Sequence, residues 1–179
     1  MKASWRCALG LTLLLALPLP ISLLGQQEHS DPLNPLEIDQ LRDAMLDPVE
    51  RLNLYVKFAR DRMTKLEQMR SDPKTKERGR QTHDMLEGFL AVYDELDDNI
   101  DMYVARKNDI RKPLKNIIEA DTEFQSKLRA LKNSPQTSAA EITQYEFQLT
   151  DALDTVDASV EDHRKTIAEV EEYMKHKKK

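Results

Sequence analysis

The stretch Tyr103–Ile117 reads YVARKNDIRKPLKNI, and the meaning of its proline decides the architecture. On either side of it, apolar residues recur at alternating steps of three and four: Leu86, Phe89, Tyr93, Leu96, Ile100, Tyr103, then Ile110, Leu114, Ile117, Phe124, Leu128 and Leu131. Lys107 and Asp121 are the polar members of the series. That spacing marks one face of a helix. It passes Pro113 without losing phase, and the preceding Arg111-Lys112 offers no N-terminal cap. The pattern favours one long helix from about residue 73 to 132, kinked near Pro113. The other solution is a tight corner with Asp109 as N-cap and Pro113 in the first turn, where its missing N–H is not needed. The first reading gives an elongated antiparallel bundle of three long heptad-patterned helices. The second gives a four-helix up-down bundle.

Either way the fold is all-α. After residue 25 there are two glycines, Gly79 and Gly88. Sheet-containing domains of this size need many turns with positive φ, which glycine normally fills. Asn34-Pro35-Leu36-Glu37 and Asp47-Pro48-Val49-Glu50 each place a capping side chain, a proline and a glutamate at the spacing of a helix start. Asp72-Pro73 shares the first half of that pattern, and Ser138-Ala139-Ala140-Glu141 reads as a capping box. Ile38, Met45, Val49, Leu52, Val56, Ala59, Met63 and Leu66 form one more apolar stripe, with a bend expected at Asp47-Pro48. Leu149, Leu153, Val156, Val160, Ile167, Val170 and Met174 form another, with His163 in line. Such coiled-coil-like stripes are the faces a helical bundle buries.

The first 25 residues have a different character. Lys2 and Arg6 precede the apolar run Ala8–Leu17, and Pro18 and Pro20 break it before Ser22-Leu23-Leu24-Gly25. This is the layout of a secretory signal peptide, so the protein is expected to be exported, to a periplasmic or extracellular space. Cys7, the one cysteine, lies ahead of the apolar run rather than after it, which argues against a lipid-attachment site. The remaining chain has no thiol for a disulfide, a nucleophile or a metal. The expected organisation is a signal peptide over 1–25, an extended linker over 26–34, one helical domain over 35–174 and a basic tail over 175–179.

Charge comes in blocks. Residues 48–82 hold ten Lys/Arg against five Asp/Glu, residues 83–101 hold seven acids and no Lys/Arg, and residues 137–162 again hold seven acids and no Lys/Arg. A hairpin turning near residues 71–81 would bring Arg51 and Lys57 level with Asp94–Asp101, so the blocks are expected to attract across helices and select that pairing. The net charge of −5 argues against a dedicated nucleic-acid binder.

Motifs that carry chemistry are absent. The sequence has no HExxH, no glycine-rich phosphate loop, no Cys-x-x-Cys-His and no EF-hand glycine within the acidic stretch Tyr93–Tyr103, and its four histidines are scattered. The chain therefore reads as a non-enzyme without a cofactor. It is expected to be a structural or protein- or envelope-binding helical protein that works through helix faces. The alternative is a cation-responsive acidic module. His163 and Lys107, both on apolar stripes, are candidates for one polar core layer, with Asp43, Asp47 or Asp109 as counter-charge. Lys74, Lys76, Arg78 and Arg80, and separately Lys175, Lys177, Lys178 and Lys179, are candidates for weak contact with an anionic membrane or polymer surface.

Overall fold

The computed structural model describes residues 32–177 apart from position 136. The expected signal peptide over 1–25, most of the linker over 26–34, and Lys178 and Lys179 lie outside the described residues. The described chain is helical, with no strand: α1 (Pro35–Asp43), α2 (Pro48–Ser71), α3 (Arg78–Ala105), α4 (Arg111–Lys132), α5 (Ala139–Ile142) and α6 (Glu146–Lys177). None of these helices is long and apolar enough to cross a membrane.

The chain turns a corner at Pro113 instead of kinking, so the four-helix arrangement is the one formed. Lys107 takes a left-handed conformation at φ 59°. Asn108 N–H donates to the Tyr103 carbonyl at 3.0 Å, and Lys107 N–H to Val104 at 2.9 Å. These two bonds close a Schellman cap, with lysine where glycine is usual. The chain restarts at Arg111 with Ile110 as N-cap, so Pro113 is the third helical residue and lacks an N–H that no intrahelical carbonyl would have accepted. Asp109 does not cap α4 as the N-cap residue; its carboxylate holds the Arg111 side chain. The periodicity survived the corner because Ile110 is itself fully buried and keeps the seven-residue step from Tyr103.

Of two other expected starts, one shifts and one forms where it was read. Asp72 accepts from Lys74 N–H at 2.8 Å and forms a turn, so α3 begins at Arg78 rather than near Pro73. Ser138 does accept from Glu141 N–H, but only to open the short α5, because the Glu141 carboxylate is drawn away to two arginines. The Asn34 capping box and the Asp47 cap form as the sequence implies. The bend at Asp47-Pro48 is a full reversal: the Arg62 guanidinium on α2 holds Glu37 on α1, and Arg51 donates to the Leu41 carbonyl. That reversal leaves Met45 on the outside, 63% exposed, and not on a buried stripe.

The helices run up-down-up-down in chain order. Arg51–Asn99 and Arg70–Thr82 contacts make α2 and α3 antiparallel. Asn53–Asn116, Arg60–Glu123 and Glu67–Lys127 contacts make α2 and α4 parallel neighbours. α6 closes the bundle, antiparallel to α4 and parallel to α3. α3 and α4, consecutive in the chain, face each other across the bundle's diagonal. They meet at its centre, where the Phe124 ring lies edge-on to Phe89 at 5.2 Å and to Tyr93 at 6.1 Å.

Cross-helix ion pairs fall elsewhere than expected. Arg51 bonds Asn99, the Leu41 carbonyl and the Tyr55 hydroxyl, and Lys57 pairs with Asp61 on its own helix. The α2–α4 seam carries the pairs instead, at Arg60–Glu123 and Lys127–Glu67. The α2–α3 pairing is held by burial of Leu52, Val56, Ala59, Leu86 and Leu96 rather than by opposed charge. The two glycines of the domain play opposite parts. At Gly79 a Cβ would come within 2.6 Å of the Gln144 side chain and 3.0 Å of the Glu141 carbonyl, so its bareness lets α5 sit on the first turn of α3. Gly88 lies inside α3 with nothing within 4 Å of an added Cβ. Gly88→Ala is therefore expected to stabilise the fold by about 1 kcal/mol, read as an increase in the urea midpoint at unchanged slope.

Candidate functional site

Polar residues placed on apolar helix faces converge at one level of the bundle. His163 of α6 is 4% exposed, and Asp121 of α4 is fully buried. Asp121 Oδ2 lies 2.9 Å from His163 Nδ1, and its Oδ1 accepts the Tyr93 hydroxyl of α3 at 2.7 Å. On the other side of the ring, His163 Nε2 lies 3.0 Å from Asp97 Oδ1, while Ser159 donates to Asp97 Oδ2 at 2.8 Å. Three helices thus supply five side chains to one network. Among the described residues, no buried side-chain nitrogen or oxygen lacks a hydrogen-bond partner.

Both ring nitrogens face carboxylate oxygens, which only accept, so the geometry is that of an imidazolium donating twice. Burial opposes the charge, but hydrogen bonds and attraction from Asp121 and Asp97 outweigh it and lift the His163 pKa to about 9. Burial, reinforced by the negative Asp121 beside it, pushes the Tyr93 phenol far above its usual range, so Tyr93 stays a donor. A histidine whose folded pKa is raised stabilises fully below its unfolded pKa near 6.5. That contribution is lost as the pH rises through about 9. Unfolding free energy is therefore expected to fall between pH 6.5 and 9.5, by an amount on the order of 3 kcal/mol at the upper limit. Urea titrations at the two pH values check it, and equal values would show that the ring is not charged in the fold.

The Tyr93–Asp121–His163 part of this network is buried, and the Asp97 side chain, 34% exposed, reaches solvent. General acid–base chemistry requires a donor within about 3 Å of a substrate atom, and both nitrogens of His163 are already committed to protein oxygens. The arrangement clamps α3, α4 and α6 at one height.

The structure does not bring Lys107 to this layer. Lys107 is exposed in the corner, with its ammonium 5.6 Å from the Tyr173 ring on α6, because the left-handed cap turns it out of the helix face. The counter-charges of His163 are Asp121 and Asp97, not Asp43, Asp47 or Asp109. Asp121 carried a signal in the sequence, as a polar member of an apolar stripe. Asp97 carried only its position beside one.

The two basic clusters sit at opposite ends. Lys74, Lys76 and Arg80 are exposed around the α2–α3 turn, while Arg78 is held by Glu141 in a two-pronged pair at 2.9 and 2.8 Å. Lys175 and Lys177 are exposed on the last turn of α6, which runs to Lys177. Within Tyr93–Tyr103, Tyr93, Leu96, Ile100 and Tyr103 are buried, and Asp94, Asp98 and Asp101 are exposed. The two acidic blocks fall on neighbouring parallel helices. Although Asp94 is exposed as a residue, partial desolvation of its carboxyl, reinforced by negative charge on Asp97, Asp151, Asp98 and Glu95, pushes it above its usual range. Among the described residues, His83, Asp84 and Glu87 place ligand-type atoms within 4.8 Å of one another, on one exposed turn of α3 outside that run.

At the end of the bundle where α1 folds onto α2, Met45 and Leu46 are 63% and 90% exposed, and Leu36, in the first turn of α1, is 73% exposed. A cleft of about 470 Å³ beside Met45 and Leu46 is lined by Asp43, Asp47, Glu50 and Leu54 among others. No protein-family model, curated protein or solved structure matches this chain.

Proposed function

We propose that the protein is an exported, non-enzymatic helical bundle that binds another protein through the elbow between α1 and α2. The observation that carries this reading is the pair of large apolar side chains Met45 and Leu46, left exposed where the chain reverses. Clustered apolar exposure on a folded domain is typical of an interaction surface. The rim is acidic, with Asp43, Asp47 and Glu50 along the adjoining cleft, so the partner surface is apolar side chains flanked by lysine or arginine. A photo-crosslinking residue at Leu46 should capture one discrete partner from the exported fraction. The same residue at Lys165, exposed on α6, should not. Equal capture from both positions, or none from Leu46, would overturn the proposal.

A second reading is favoured by the crowded α3–α6 face, where Asp94, Asp97 and Asp98 of α3 stand near Asp151 of α6 and partial desolvation, reinforced by these like charges, raises the Asp94 carboxyl. It is a module whose stability responds to cations. Divalent cations are then expected to raise the melting temperature above that in sodium chloride of equal ionic strength. Identical melting in calcium, magnesium and sodium salts would leave only nonspecific screening.

A further inference from the structure

At the opposite end from the elbow, α2, α4 and the first turn of α3 enclose a cleft of about 260 Å³. Its floor is apolar: Met63 and Leu66 are 1% and 2% exposed, and Leu131 packs beside them. Its walls carry Arg70, Arg78 and Lys127, with Glu67 the one acid among the described residues that line it. Two guanidiniums share a single carboxylate here. Glu141 accepts from Arg70 at 3.0 Å and from Arg78 at 2.9 and 2.8 Å, leaving one positive charge uncompensated in that trio.

The two arginines are not equally engaged. Arg70 donates also to Thr82 and Thr137 at 2.9 Å each and lies over the Tyr145 ring. Arg78 gives Glu141 its Nε and Nη2, and its Nη1 has no hydrogen-bond partner among the described residues. Lys127 reaches Glu67 at 2.8 Å and, less closely, Glu123 at 3.5 Å; the Glu67 side chain is half exposed and can swing into water without loss of burial, which leaves the ammonium a donor to offer. The cleft thus joins a dry floor to donors that an incoming anion can engage.

We propose that this cleft binds a small amphipathic anion: a short alkyl chain or aromatic ring lying on Met63, Leu66 and Leu131, with a carboxylate-type head group met by Arg78 and Lys127. The volume sits just below the range usual for drug-sized ligands, which limits the occupant to a small molecule. A planar carboxylate matches the fork of a guanidinium, and a guanidinium already holding Glu141 still has one edge to offer. This site is independent of the elbow surface and of the partner bound there.

The test is calorimetric titration of the full chain with octanoate, with octanol as the uncharged match, and with phosphatidylglycerol vesicles. Octanoate is expected to bind at least tenfold more tightly than octanol. Arg78→Gln should remove that preference. Ala130→Phe, at an exposed helical position lining the cleft, should abolish binding with the melting temperature kept. Because Arg78→Gln can also loosen α5, Ala130→Phe decides where the first variant fails to fold. Equal affinity for octanoate and octanol, or octanoate binding that survives Ala130→Phe, would overturn the proposal. Binding to the vesicles alone would also overturn it, assigning the positive charge at this end to a lipid surface through Lys74, Lys76 and Arg80.

Discussion

Asp121→Ala is expected to destabilise the fold by about 3–5 kcal/mol, measured by urea unfolding at pH 7. Asp121 is fully buried and accepts two bonds, from Tyr93 at 2.7 Å and from His163 at 2.9 Å. Its removal leaves a phenol without its acceptor and an imidazolium facing a void. Each is a group whose desolvation is no longer offset. With Asp97 left as its one carboxylate partner, the ring holds its proton less tightly, so the variant should also show a smaller fall in stability between pH 6.5 and 9.5. Asp121→Asn keeps an acceptor for Tyr93 at nearly the same volume, so it should cost less and flatten the pH profile in the same way. An Asp121→Ala loss under 1 kcal/mol would mean that burying the carboxylate costs the native state almost as much as its two bonds return.

Phe124→Ala is the second large effect, also about 3–5 kcal/mol. The ring is fully buried at the crossing of α3 and α4, edge-on to both Phe89 and Tyr93. Nothing nearby can collapse into the space, because Phe89 and Tyr93 are themselves packed against one another at 5.6 Å. Domains of this kind carry roughly 5–15 kcal/mol in all, so the variant should stay helical at 25 °C with a melting temperature well below that of the parent. Circular dichroism melts check this. A small loss would show that α3 and α4 are held apart by their neighbours rather than joined through this ring.

Most of the helical content was legible in the sequence because it rests on local rules. Asn34 and Asp47 cap as their spacing implies, and the stripes through Leu86–Tyr103 and Leu114–Leu128 are buried as their period implies. Pro113 was not, for a physical reason. A heptad pattern records which face is buried and is blind to chain direction, so a corner that keeps a seven-residue step looks like a continuous helix. The decisive residue, Lys107, adopts positive φ where sequence rules look for glycine. The polar layer was half legible. His163 stands out on its stripe, but its partners come from α3 and α4, and only the bundle's three-dimensional register brings Asp97 and Asp121 to it. The elbow was hidden for the same reason as the corner: Met45 fits the stripe's period, but the chain reverses before the stripe can use it.

The diagonal crossing also governs the order in which the bundle can be assembled. The α2–α3 hairpin closes over a short turn, so it is the local event. α4 cannot zip onto α3 from their shared corner and must reach α2, about sixty residues earlier in the chain, as the Arg60–Glu123 pair shows. α6, synthesised last, then covers the open side. Until it does, Asp121 has no cation and keeps its water. A carboxylate hydrated at that height resists any premature closure of the three earlier helices upon themselves, and it surrenders its water only to the helix that carries His163. The buried charge therefore ties dryness at this height to register: Asp121 is compensated only where α6 sets His163 opposite it.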